Sequence, residues 1–143
     1  MSGDIETREF TINDYDAAIE LWKRLEGLDV AEGDDRETIR RFLERNRGLS
    51  RVASAGPHMI GAVLCGHDGR RGYVYHLAVD PAYHGRGLGR RLIDECLAGL
   101  KRAGLERANI LVAKDNPRGL DFWRRTGWEY LDGAVPFGRD VSS

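Results

Sequence analysis

Three glycines at alternate positions, Gly85, Gly87 and Gly89, occupy His84-Gly-Arg-Gly-Leu-Gly89, with Arg86, Arg90 and Arg91 among and just after them. The run before them, Tyr73-Val-Tyr-His-Leu-Ala-Val79, is apolar, aromatic and β-branched, and it stops at Asp80-Pro81. An amphipathic stretch opens directly from the last glycine. Small residues let a backbone come close to a phosphate. The first turn of a helix adds unpaired N–H groups and the positive end of a dipole. The segment reads as a pyrophosphate cradle. Two familiar spellings do not fit it. A nucleoside-triphosphate loop needs Gly-Lys, which occurs nowhere in the chain. The dinucleotide fingerprint needs a third glycine where Arg90 stands, and Glu106 falls before the next strand rather than at its end.

Around the cradle the sequence predicts a strand over 6–11 and a helix from Asp14 to about Gly27, capped by Asn13. A second helix starts at Arg36 with Asp35 as its cap and ends by Gly48. Strands are expected over 50–55, 59–65 and 73–79, the last two joined by a connection over 66–72. Leu88, Leu92, Cys96 and Leu100 recur every four residues, with Ile93 and Leu97 widening the stripe, so a helix runs from Gly87 or Leu88 to Ala103. A strand over 109–113, a helix over 117–126, a strand over 128–131 and a short last one over 135–137 complete the order. No repeat or linker interrupts it, and residues 1–143 read as one domain.

At 143 residues, with 41% hydrophobic and 31% charged residues, the composition is that of an ordinary globular domain. The 22 basic and 23 acidic residues leave a net charge of −1, which argues against nucleic acid as the main partner. No long apolar run predicts a membrane span, and the first residues lack the features of a signal peptide, so a cytoplasmic location is expected. Cys65 and Cys96 fit two reduced core thiols. His58, His67, His76 and His84 show no ligand spacing, so no metal is expected.

The segment resembles motif A of the GNAT superfamily of acetyl-CoA-dependent N-acetyltransferases, in its small single-domain bacterial form. Leu77, Ala78 and Val79 match the end of the family's strand and Pro81 its nearby proline. His84 stands where the family's loop has Arg or Gln. Asn116-Pro-Arg-Gly-Leu-Asp-Phe-Trp-Arg-Arg-Thr-Gly-Trp128 is similar to a second family segment, about 30 residues downstream. The resemblance covers roughly residues 50 to 132. It implies an α/β GNAT fold, a mixed central β-sheet with helices on both faces and a splayed pair of parallel strands. The splay, between 73–79 and 109–113, receives the pantetheine arm of acetyl-CoA as an extra strand.

Carried over residue by residue, the cofactor side comprises Leu77, Ala78, Val79, His84, Gly85, Arg86, Gly87, Leu88, Gly89, Arg90, Asn116 and Trp123. Trp123 takes a position where the family often has a tyrosine to protonate the leaving thiolate. An indole N–H donates a hydrogen bond but cannot serve as that acid. Alternation back from Leu77 aims Tyr75 and Tyr73 at the acceptor, where they would orient a water, and places His76 on the opposite face as a core histidine. His67 and Asp68 either reach the substrate mouth or shape the turn. Asp29, Glu32, Asp34 and Asp35 crowd the connection that borders the acceptor side by resemblance. They either attract a cationic amine or only cap the second helix and face solvent. The acceptor is an amine on a small molecule, a peptide or a protein, and a homodimer is allowed. Alternatives are a non-catalytic acyl-CoA-binding or sensor protein on the same fold, and a dinucleotide-binding α/β domain.

Overall fold

The computed structural model describes residues 4–25 and 30–141. The chain divides into two compact units, residues 1–111 and 112–143. The first unit holds a five-stranded sheet: β1 (Ile5–Glu9), β2 (Arg51–Ala55), β3 (His58–His67), β4 (Gly72–Val79) and β5 (Ala108–Ile110). Their spatial order is β1-β2-β3-β4-β5, antiparallel through β4, with β5 parallel to β4. Among the described residues, three α-helices belong to this unit: α1 (Tyr15–Lys23), α2 (Arg36–Arg45) and α3 (Leu88–Arg102).

The helices cover opposite faces of the sheet, because neighbouring strand residues point opposite ways. Val52, Ala62, Leu64 and Ala78 join Ala18, Leu21 and Trp22 of α1 and Ile39 and Leu43 of α2 in one buried cluster. Gly61, next to Ala62, turns the other way: a methyl there would meet Leu92 of α3. Leu92 and Cys96 are fully buried on that second face. Each such leucine contributes about 1.5–3 kcal/mol by leaving water. The thiol of Cys96 is pushed up, first by its hydrogen bond with Cys65 and then by burial. Both cysteines are free and buried, as expected of core thiols.

Helix starts are set by local polar bonds. Asp35 caps α2 as expected, accepting from the Thr38 N–H at 3.1 Å. Asn13 is not the cap it was expected to be. A one-turn 3₁₀ segment over Ile12–Asp14 precedes α1, and Asp14 closes a box by accepting the Thr11 N–H at 2.9 Å. The Asp14 carboxylate also accepts two bonds from Arg8, at 2.7 and 2.8 Å. The expected end of the first helix, near Gly27, lies outside the described residues.

The connection between β3 and β4 is shorter than expected, because β3 runs on to His67. Asp68 Oδ1 accepts from the N–H groups of Arg70 and Arg71, and His67 Nδ1 accepts from that of Gly69. Both side chains shape the turn. In the second unit Pro117–Arg125 forms α4, close to its expected span. The strands expected over 128–131 and 135–137 do not form. Tyr130, Leu131, Val135 and Phe137 are instead exposed, on chain with no strand assigned. Alternating apolar residues make a strand only where a partner edge satisfies the backbone. None of the helices among the described residues is long and apolar enough to cross a membrane.

Candidate active site

The glycine loop begins where β4 stops. Asp80 donates its N–H to the Ile60 carbonyl at 2.8 Å, which pins the strand's end. Its side chain caps a single 3₁₀ turn over Pro81–Tyr83. His84 then folds back, and its Nε2 donates to the Val79 carbonyl at 2.9 Å. The imidazole therefore shapes the loop. Gly85 and Gly87 take φ of +81° and +74°, which side-chain-bearing residues rarely adopt, and a methyl at either would meet open space. Gly87 is the N-cap of α3, and Arg91 makes the helix's first backbone bond to the Gly87 carbonyl at 3.0 Å. The N–H groups of Leu88, Gly89 and Arg90 precede that bond, as in any first helical turn. The Leu88 side chain is buried, so only its backbone can serve a ligand.

The three arginines of the loop and the first turn of α3 differ in their surroundings. Arg86 lies 5.0 Å over the Tyr83 ring, and Arg90 is exposed. Arg91 turns away, with its guanidinium 3.5 Å from Glu95 and 3.4 Å from the Thr7 hydroxyl. A shallow groove of about 450 Å³ runs along α3 between Gly87 and Ala98, lined also by Arg90, Arg91, Asp94 and Glu95.

β4 parts from β5 early. Their pairing covers Gly72 with Ala108, Tyr73 with Asn109 and Val74 with Ile110, and ends there, although β4 continues to Val79. The other edge of β4 stays paired with β3 as far as Val79. The expected splay is therefore present, though β5 starts one residue before the expected 109–113 strand and ends three residues short of it.

The same stretch of β4 carries a bulge. Ala62 pairs with Ala78 and Leu64 with Tyr75, so β4 uses three steps where β3 uses two. The extra residue brings His76 to φ +53°, the sole non-glycine residue with positive φ among those described. Such a backbone costs about 1–2 kcal/mol. The bulge overturns the expected alternation. Tyr75 packs edge-on against Phe42 of α2 at 6.0 Å, and His76 lies 4.9 Å from the Trp22 ring of α1. Both face the α1–α2 side, and Ala78 rather than Leu77 follows them there. Tyr73 stacks on Tyr75 at 6.2 Å. Burial pushes the Tyr75 hydroxyl above the usual phenol range, and the charges of Tyr73, Asp68 and Cys65 add to it. This shift favours the neutral phenol at Tyr75.

The partner of His76 was not legible in the sequence. Asp34 does not cap α2. Its buried carboxylate lies 3.0 and 3.1 Å from His76 Nε2 and accepts the Ala31 N–H at 3.0 Å. Tyr15 donates its hydroxyl to the Asp34 carbonyl at 2.5 Å. Glu32 and Asp35 remain exposed, and Asp29 lies outside the described residues.

In the second unit Asn116 caps α4, accepting from the Gly119 N–H at 3.1 Å. Trp123 is buried, and its ring meets Phe122 and Trp128 edge-on, each at 5.0 Å.

A mixed five-stranded sheet with one parallel pair and helices on both faces is the fold of the N-acetyltransferases. The chain belongs to the Acetyltransferase (GNAT) family, whose sequence model matches residues 10–128, and it is an acyltransferase. It is 30% identical over 135 residues to Acetyltransferase SG1711 of Sodalis glossinidius (strain morsitans), covering 94% of each chain. Its fold is similar to that of the PaiA N-acetyltransferase of Thermoplasma acidophilum, solved in complex with coenzyme A. That match has a TM-score of 0.77 at 21% identity, over 92% of this chain and 93% of that one. It is also similar to the aminoglycoside acetyltransferase meta-AAC0020 from an uncultured soil metagenomic sample. There the TM-score is 0.73 at 21% identity, over 96% of both chains.

Proposed function

We propose that residues 1–143 act as one acetyltransferase domain that moves the acetyl group of acetyl-CoA directly to a primary amine in a ternary complex. The observation that carries this reading is the early parting of β4 and β5, immediately upstream of the glycine loop. The freed edge of β4 suits the amide groups of a pantetheine arm, and the loop and first turn of α3 suit its pyrophosphate. Arg86 and Arg90 add charge at the phosphates. The amine nitrogen attacks the thioester carbon, the C–S bond breaks, and the nitrogen loses a proton. An N–H near Leu77 or Val79 polarises the carbonyl as charge develops on oxygen.

No acid is needed at Trp123, because a thiolate with pKa about 8.5 leaves tolerably at neutral pH. The acceptor is a small-molecule amine or a peptide or protein amine. Incubation with acetyl-CoA and a panel of amines, followed by thioester assay and mass spectrometry, tests the reading. An amide product with release of free thiol is expected. Tight acetyl-CoA binding with no product from any amine or cell extract would leave an acyl-CoA-binding protein instead.

A further inference from the structure

An ammonium acceptor must lose a proton before it can attack, and the sequence offers no carboxylate on β4 to take it. The bulge changes what β4 offers. It turns His76 onto the same face as Tyr73 and Tyr75, within the stretch of β4 that has left β5. There its Nε2 meets both oxygens of Asp34, at 3.0 and 3.1 Å. A carboxylate at Nε2 holds the proton on that nitrogen and leaves the lone pair on Nδ1. Asp34 is itself fixed at both ends, its side chain by the Ala31 N–H and its carbonyl by the Tyr15 hydroxyl. The imidazole is partly open, at 21% side-chain exposure, while Asp34 is nearly closed off at 12%.

We propose that His76 takes the proton from the attacking amine through Nδ1, with Asp34 as its positioning residue. The inference rests on the transferase reading above. R–NH₃⁺ gives one proton to Nδ1, and the freed lone pair attacks the thioester carbon. As the C–S bond breaks and the thiolate departs, the nitrogen of the tetrahedral adduct loses its second proton to water, leaving the neutral amide. The imidazolium is held by Asp34 until the proton passes to water or to the departing thiolate. Imidazole titrates closest to neutrality among side chains, which suits this exchange. Other groups around the pair are Tyr15 of α1 and, one step further out, Asp16, Asp35 and Arg36. Tyr75, the neighbour on the strand, has a hydroxyl pushed the wrong way for the task. Glu95 is committed on the far side of the sheet to Thr7 and Arg51, at 2.7 and 3.0 Å.

His76→Gly is the informative variant, because glycine accepts the positive φ and removes only the ring. The probes are 1,4-diaminobutane, an aminoglycoside and a lysine-bearing peptide, each with acetyl-CoA. For whichever probe the parent acetylates, kcat at neutral pH should fall at least about 100-fold. The deficit should shrink toward pH of about 9.5, where more of the amine arrives neutral. Added imidazole should restore part of the rate, and acetyl-CoA affinity by calorimetry should not change. Asp34→Asn should lower kcat about tenfold and leave the KM for acetyl-CoA alone. Nitrogen-15 spectra of the parent should show the proton on Nε2 of His76. A deficit that is constant with pH and indifferent to imidazole, or a proton on Nδ1, would overturn the proposal. A parent that acetylates none of the probes would instead overturn the transferase reading, and this role with it.

Discussion

Gly72 turns its Cα toward the side chain of Leu100 with no room between them for a methyl group. The same glycine donates its N–H to the Arg107 carbonyl at 2.8 Å and opens the pairing of β4 with β5. Sheet and helix α3 thus pack without a gap where the two parallel strands begin. Gly72→Ala should lower stability by about 1–3 kcal/mol through overpacking. Leu100→Ala in the same chain should recover part of that loss. Denaturant unfolding of the two single variants and the double variant checks the coupling, and strictly additive losses would contradict it.

Gly89 offers the cleanest test of the cradle. It lies in the first turn of α3 and has no positive φ, unlike Gly87. An aspartate there suits the helix dipole, yet puts negative charge where pyrophosphate is proposed to lie. Gly89→Asp should weaken acetyl-CoA binding at least tenfold, about 1.4 kcal/mol, with Gly89→Ala much closer to the parent. Equal affinity of the Asp variant and the parent by calorimetry would remove the cradle.

Trp123 packs between Phe122 and Trp128, so its ring has a structural task already. Trp123→Phe keeps an aromatic ring and deletes the indole N–H. Turnover should fall less than about fivefold, under about 1 kcal/mol of barrier. Trp123→Tyr, which supplies a phenolic proton, should match or exceed the parent. A hundredfold loss in the Phe variant with acetyl-CoA affinity intact would assign the N–H a direct part in the chemistry.

The acid limb of stability should carry the signature of Asp14. Burial disfavours its charge, but the bonds from Arg8 and the Thr11 N–H outweigh that and hold the carboxyl below its ordinary value near 3.8. A depressed folded-state pKa adds stability above the unfolded value, and that stability is lost as pH falls through the folded value. Asp14→Asn should therefore flatten the loss of stability below about pH 4. Asp14→Ala, which also removes the box before α1, should cost about 1–3 kcal/mol at neutral pH. Thermal melts across pH check both, and parallel acid limbs for parent and Asn variant would contradict the assignment.

With Asp34 turned inward, Glu32 is, among the described residues, the exposed carboxylate of the α1–α2 connection that no helix cap uses. If the connection steers a cationic acceptor, Glu32→Gln should raise its KM roughly twofold at low salt and spare acetyl-CoA. The parent's KM should rise with ionic strength. Indifference to both changes would make Glu32 plain surface.

The loop and α3 were legible because their signals are local. Alternate glycines and a four-residue apolar stripe state their geometry within the segment itself. The splay was legible only through family resemblance. The bulge at His76 had no signal at all, since no glycine or proline marks it and Tyr-His-Leu reads as ordinary strand. Missing one inserted residue reversed the facing of everything after it, and so hid the pairing of His76 with Asp34, 42 residues away. The strands expected over 128–131 and 135–137 failed for a different reason: their pattern is strand-like, but a strand also needs an edge to join, which no local pattern contains.

Glu95 joins three elements that the chain order keeps apart: Thr7 of β1, Arg51 of β2 and Arg91 one turn back on α3. β1 is the outermost strand, at the opposite margin of the sheet from β5. Outer strands are where a folded sheet first loosens. When β1 frays, Glu95 loses its bond from Thr7, and the helix capped by Gly87 loses one of its moorings to the sheet. Hydrogen exchange at Leu88, Gly89 and Arg90 should therefore report, at the far end of that helix's connection to the sheet, on the integrity of β1.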